Sequence, residues 1–97
     1  INIGLLEIDF STFQAEETGA EGRLSHKEFE ILQFLNAHKK KTVGRYELLE
    51  NVWGYEEQIT TRTIDNFIMR LRQKVESNPN QPKIILTVHG SGYRMIL

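Results

Sequence analysis

Arg62, Arg70, Arg72 and Lys74 share one stretch with Asn66, and the apolar residues between them recur at helical spacing. A guanidinium can clamp a phosphate or pair with a guanine edge, and the two-headed amide of asparagine matches adenine. Ile64, Ile68, Leu71 and Val75 lie within about 60° of one another on a helical wheel, which predicts a buried stripe flanked by Phe67. The opposite face then presents Arg62, Asn66, Met69, Arg70 and Gln73, with Arg72 and Lys74 on its shoulders. Beyond it, Gly90-Ser91-Gly92 makes a tight turn between two strand-like runs, so His89 and Arg94 flank a hairpin tip.

Charge separates along the chain in the same sense. Residues 60–97 carry six Lys or Arg against two acids, a balance of +4, while residues 1–59 carry six against eleven, a balance of −5. A basic end on an acidic body is a footprint of nucleic-acid binding more than of catalysis. Catalysis has little support: His26, His38 and His89 fall on separate elements without metal-ligand spacing, and there is no cysteine. No serine sits in a nucleophile elbow and no glycine-rich loop opens a helix, so neither a catalytic residue, a metal nor a cofactor is expected.

Ninety-seven residues with 26% charged side chains suit one soluble domain. No apolar run approaches the roughly 20 residues that a membrane span needs. The lack of a signal-like start and of cysteine fits a cytoplasmic protein. The start at Ile1 is expected of a domain excised from a longer chain.

Residues 1–25 read as an antiparallel meander of three or four short strands, acidic on their polar face. Ser25 and Glu28 have capping-box spacing, and Phe29, Ile31, Leu32, Phe34 and Leu35 continue a helix to about His38. Lys39-Lys40-Lys41 then fits a solvated turn interacting with the helix dipole better than a phosphate patch. Thr42-Val43 is a short bridging strand. Gly44, with Glu47 three residues on, opens a second helix that ends at Gly54 as a left-handed cap. Thr60 or Thr61 can cap the third helix, and Pro79 and Pro82 end it. The expected class is α+β: a winged helix-turn-helix with an N-terminal antiparallel sheet, three helices and a C-terminal hairpin wing. Such a helix fits the major groove of DNA, and such a wing the adjacent minor groove.

The run Leu48-Leu49 … Val52-Trp53-Gly54 … Arg62-Thr63-Ile64-Asp65 … Ile68 … Arg70-Leu71-Arg72-Gln73-Lys74 … Thr87-Val88-His89-Gly90-Ser91-Gly92-Tyr93-Arg94 resembles the effector domain of OmpR/PhoB-type response regulators. That resemblance covers nearly the whole chain and implies a four-stranded first sheet. It implies a transcription factor with recognition helix 61–76 in the major groove and wing 84–96 in the minor groove. It also implies a phospho-acceptor receiver domain ahead of this one, a sensor kinase acting on that domain, and a dimer on tandem half-sites. The loop Tyr55–Ile59, acidic through Glu56 and Glu57, would touch RNA polymerase.

Residue by residue, the resemblance implies DNA contacts from Arg62, Arg70 and Arg72, and phosphate contacts from the Trp53 indole, Thr87 and Tyr93. Phe67 replaces a histidine, Met69 a base-reading arginine and His89 the minor-groove arginine of well-known members. Base readout would then rest on Asn66, Arg70 and thymine-methyl contacts from Phe67 or Met69, with Lys74 and Arg94 as further cations. Four to six phosphate contacts would give a log–log salt slope of roughly −4 to −5. A rival expectation is a winged-helix protein-interaction module that reads no DNA.

Overall fold

The computed structural model describes residues 2–4, 6–9, 14–17, 24–54 and 59–96. Three short strands come first: β1 (Asn2–Ile3), β2 (Leu6–Asp9) and β3 (Gln14–Glu17), paired antiparallel in the order β1-β2-β3. The meander is therefore three-stranded among the described residues, one strand short of the four that the resemblance implies.

Helix α1 (His26–Ala37) starts on the capping box expected for it. The Glu28 amide donates to Ser25 Oγ at 3.3 Å, and the Ser25 amide donates to Glu28 Oε1 at 2.8 Å. Its Phe29, Ile31, Leu32 and Leu35 are buried. The lysines 39–41 are exposed and lie past the last turn, with the Lys40 amide bonded to the Met95 carbonyl.

Strand β4 (Val43–Gly44) leads into α2 (Arg45–Leu48), where the Gly44 amide donates to Glu47 Oε1 at 3.1 Å. Leu49–Trp53 continues the helix as a π-helical segment. The cap at Gly54 differs from expectation: φ is +72° but ψ is −155°, outside the left-handed helical basin. Residues 55–58, which hold most of the loop assigned to polymerase contact, lie outside the described residues.

Helix α3 (Thr61–Val75) has Thr60 as its N-cap, but no side-chain capping bond forms. The Thr63 amide instead donates to the Thr60 carbonyl at 3.0 Å, a tighter turn that satisfies the donor without the hydroxyl. The helix ends one residue before Glu76. That residue turns extended, and its carboxylate accepts the amides of Lys83, Ile84 and Ile85. Glu76 is 3% exposed, so those three donors replace its lost hydration.

The hairpin β5 (Ile85–Val88) and β6 (Gly92–Met95) is shorter than the runs read from sequence, and one further bond from the Ile96 amide to the Ile84 carbonyl extends it. Strand β4 adds on the other side of β6, giving the order β4-β6-β5. Gly92 pairs with Gly44 and Val88, and a Cβ there would sit 2.1 Å from the Val43 carbonyl oxygen. The close approach at Gly92 is thus internal, between wing and β4. One core unites the helices and this sheet: Ile31, Leu35, Leu48, Ile64, Ile68, Leu71, Val75, Ile85 and Met95 are all fully buried.

Candidate nucleic-acid interface

The four stripe residues of α3, Ile64, Ile68, Leu71 and Val75, are each 0% exposed. Helical geometry then turns Arg62, Asn66, Met69, Arg70 and Gln73 outward, and all five are exposed. Met69 retains 60% of its accessible surface. On the wing, Thr87 and His89 are exposed. An open groove of about 600 Å³ separates Met69, Arg72 and Gln73 of α3 from Pro79, Asn80 and Pro82 and from Thr87.

Other cations of the basic end face inward. Lys74 Nζ lies 2.9 Å and 3.1 Å from the carboxylate oxygens of Glu28, whose side chain is 3% exposed. Its ammonium neutralises a buried carboxylate at the start of α1. Arg72 is likewise engaged. Its Nε and Nη2 donate to the Ile85 carbonyl at 3.0 Å and 2.8 Å, and Nη2 also reaches Thr87 Oγ1 at 2.8 Å. Its guanidinium carbon stands 5.5 Å from the Tyr93 ring centre. The structure therefore places Arg72 as a clamp between α3 and the wing. Arg94 is half-buried opposite Leu86, with its Nε inside and without a hydrogen-bond partner among the described residues.

Asp65 joins three elements. Arg45 of α2 holds it through Nε at 3.1 Å and Nη2 at 2.6 Å, and the Tyr93 hydroxyl of β6 donates to Oδ1 at 2.7 Å. Burial, followed by that bond to an anion, pushes the Tyr93 hydroxyl up to about 12. Tyr93 is 7% exposed with its proton committed to Asp65, so it anchors the wing to α3.

Trp53 and Phe67 are both half-buried and meet edge to face at 5.1 Å. Lys27 Nζ lies 5.4 Å from the Trp53 ring, and the Arg70 guanidinium 4.7 Å from the Phe67 ring. Sequence reasoning missed Lys27, Arg45, Glu28 as a lysine partner, and Glu76. One signal existed: Lys74 had no acidic neighbour four residues earlier, which left its partner to come from another element.

Two outward arginines and an amide on a helix, with a hairpin clamped beside it, have the layout of a winged helix. Residues 19–95 match the family model described as "Transcriptional regulatory protein, C terminal". The chain belongs to the OmpR/PhoB-type effector-domain family. These are the DNA-binding domains of transcription-regulating response regulators, and the family is not one of enzymes. Over 95 residues the OmpR/PhoB-type chain is 41% identical to a probable transcriptional regulator, ycf27, of Porphyridium aerugineum, covering 96% of the chain and 40% of that protein. It spans about two-fifths of the curated relatives it matches. Thermotoga maritima response regulator DrrB, an OmpR/PhoB homolog, superposes with a TM-score of 0.83 at 38% identity, over 98% of this chain and 43% of that one. The Klebsiella pneumoniae RstA DNA-binding domain in complex with the RstA box gives 0.78 at 34% identity, over 98% and 94%. The OmpR/PhoB-type fold, a winged helix with an antiparallel sheet and three helices, is thereby established. Among the described residues no helix is long and apolar enough to cross a membrane, and no His, Cys, Asp or Glu group could hold a metal ion.

Proposed function

We propose that this domain binds double-stranded DNA sequence-specifically, with α3 in the major groove and the 84–96 hairpin in the minor groove. The observation that carries the reading is the outward placement of Arg62, Asn66 and Arg70 opposite a fully buried seam. The Klebsiella relative, solved on its DNA box, supports it by similarity. In the whole protein a receiver domain would precede this one and take its phosphoryl group under control of a sensor kinase. Two copies would occupy tandem half-sites in the cytoplasm, and residues 55–59 would meet RNA polymerase.

With Arg72 and Lys74 engaged internally, two to four phosphate contacts per domain remain, for a log–log salt slope of roughly −2 to −4. Fluorescence anisotropy on a duplex selected from a random pool, across a salt series, measures it. Arg62→Ala should reduce the slope by about 0.9 without changing the melting temperature. A slope near zero for every duplex would overturn the proposal. The exposed Met69 favours one second reading, a protein-interaction face on α3. Salt-insensitive behaviour in the same titration would favour that reading.

A further inference from the structure

The contacts of Lys27, Trp53, Phe67 and Arg70 form one continuous series from α1 to the outer face of α3. Lys27 Nζ is anchored on the Val52 carbonyl at 2.8 Å and stands over the Trp53 ring. Trp53 meets Phe67 at an interplanar angle of 70°, an edge-to-face pair that restrains the Phe67 ring. Phe67 and Arg70 are three residues apart on one helix face, and the guanidinium carbon lies over the ring, 4.7 Å from its centre. A guanidinium stacks through its weakly hydrated face, leaving its N–H groups, which lie in the plane, free to bond. Among the described residues nothing hydrogen-bonds to that edge of Arg70, in contrast to Arg72.

We propose that Phe67 is a positioning residue for base readout: its ring, braced by Trp53 and Lys27, holds the Arg70 guanidinium in a reading orientation before DNA arrives. The inference rests on the DNA-binding reading above and adds a specificity device to it. An unrestrained arginine surrenders its rotamer freedom when it docks on a base, whereas a stacked one has already lost much of it. The stack gains strength when DNA displaces water from the guanidinium. Phe67 therefore sets discrimination at one base pair without touching that pair.

The test is a double-mutant cycle on the selected duplex, with Phe67→Leu and Arg70→Ala alone and together, and Phe67→Tyr as the variant that keeps a ring. Phe67→Leu should weaken binding roughly five- to tenfold and relax preference at the base pair where Arg70→Ala relaxes it, with an unchanged salt slope. In the Arg70→Ala background it should change nothing further, and Phe67→Tyr should bind within about twofold of wild type. Equal losses in both backgrounds would assign the ring to direct DNA contact and overturn the proposal. The free domain gives an independent readout: the Arg70 side-chain protons should show an upfield ring-current shift that Phe67→Leu abolishes. Absence of that shift in the wild-type domain overturns the stack whatever the DNA result. A wild-type domain with the shift but no affinity for any duplex overturns the DNA reading, and the positioning role with it.

Discussion

Replacing Lys74 by Met removes an ammonium 2.9 Å from a carboxylate whose side chain is 3% exposed. Breaking a buried ion pair from one side costs about 3–5 kcal/mol, because the remaining charge stays buried without its partner. Two features bring the expected cost below that range. The Lys74 side chain is itself 20% exposed, and Glu28 keeps the amide of Ser25 at 2.8 Å. The expected loss is therefore about 2–3 kcal/mol, or roughly 10–20 °C in melting temperature for a domain of this size. Thermal unfolding followed by circular dichroism measures it. Adding Glu28→Gln should recover most of the loss, since a neutral amide oxygen still accepts the Ser25 N–H while no charge is left buried. At temperatures where the variant is folded, the salt slope of duplex binding should equal that of wild type. An unchanged melting temperature with a slope reduced by about 1 would show Lys74 on a phosphate and refute the reasoning.

Two further outcomes follow from the clamps around the wing. Arg72→Lys should destabilise the domain by about 1–2 kcal/mol, because an ammonium lacks the planar fork that joins the Ile85 carbonyl to Thr87 Oγ1. The charge-removing variant Arg72→Gln should leave the salt slope of the same titration constant, and a drop of about 1 with intact stability would return Arg72 to the DNA surface. Tyr93 gives a pH dependence: its hydroxyl is raised to about 12 in the folded state against about 10 when unfolded, so its stabilisation is complete below about pH 10. As pH rises from about 10 through 12 that contribution, up to about 3 kcal/mol, should be lost. Denaturant unfolding should show this alkaline loss in wild type and not in Tyr93→Phe; equal losses in both would exclude it.

Periodicity revealed the helices because their apolar residues meet one shared core: every stripe residue read in α3 is fully buried. The capping box at Ser25 and Glu28 was legible because both partners lie within one turn. The N-cap position at Thr60 was legible too, but the lack of a side-chain bond there was not, since a backbone bond from Thr63 satisfies the same donor as a hydroxyl would. The fates of the cations were illegible for a different reason. Lys74 and Glu28 are 46 residues apart, and Arg72 bonds a backbone carbonyl, which has no signature in residue type. A helical wheel reports which way a side chain leaves the helix. It does not report what the next element brings to meet it. Arg72 and Lys74 on the shoulders of the wheel met the wing and α1, whereas Arg62 and Arg70 met solvent.

The withdrawn charges explain how a domain this small holds two separate elements at a fixed angle. Along α3, Asp65 reaches Arg45 and Tyr93, Arg72 reaches β5, Lys74 reaches α1, and Glu76 just past the end grips the entry to β5. Asp65, Arg72 and Glu76 leave one face of the helix toward the hairpin and Lys74 leaves toward α1, so together they fix rotation as well as distance, which apolar packing alone does loosely. A helix and a wing that enter adjacent grooves must already have the right separation, or docking must supply the free energy of ordering them. The charged residues at the edges of the recognition helix thus do their work before any duplex is present. On the proposed DNA-binding reading, base readout is left to Arg62, Asn66 and Arg70, which are exposed.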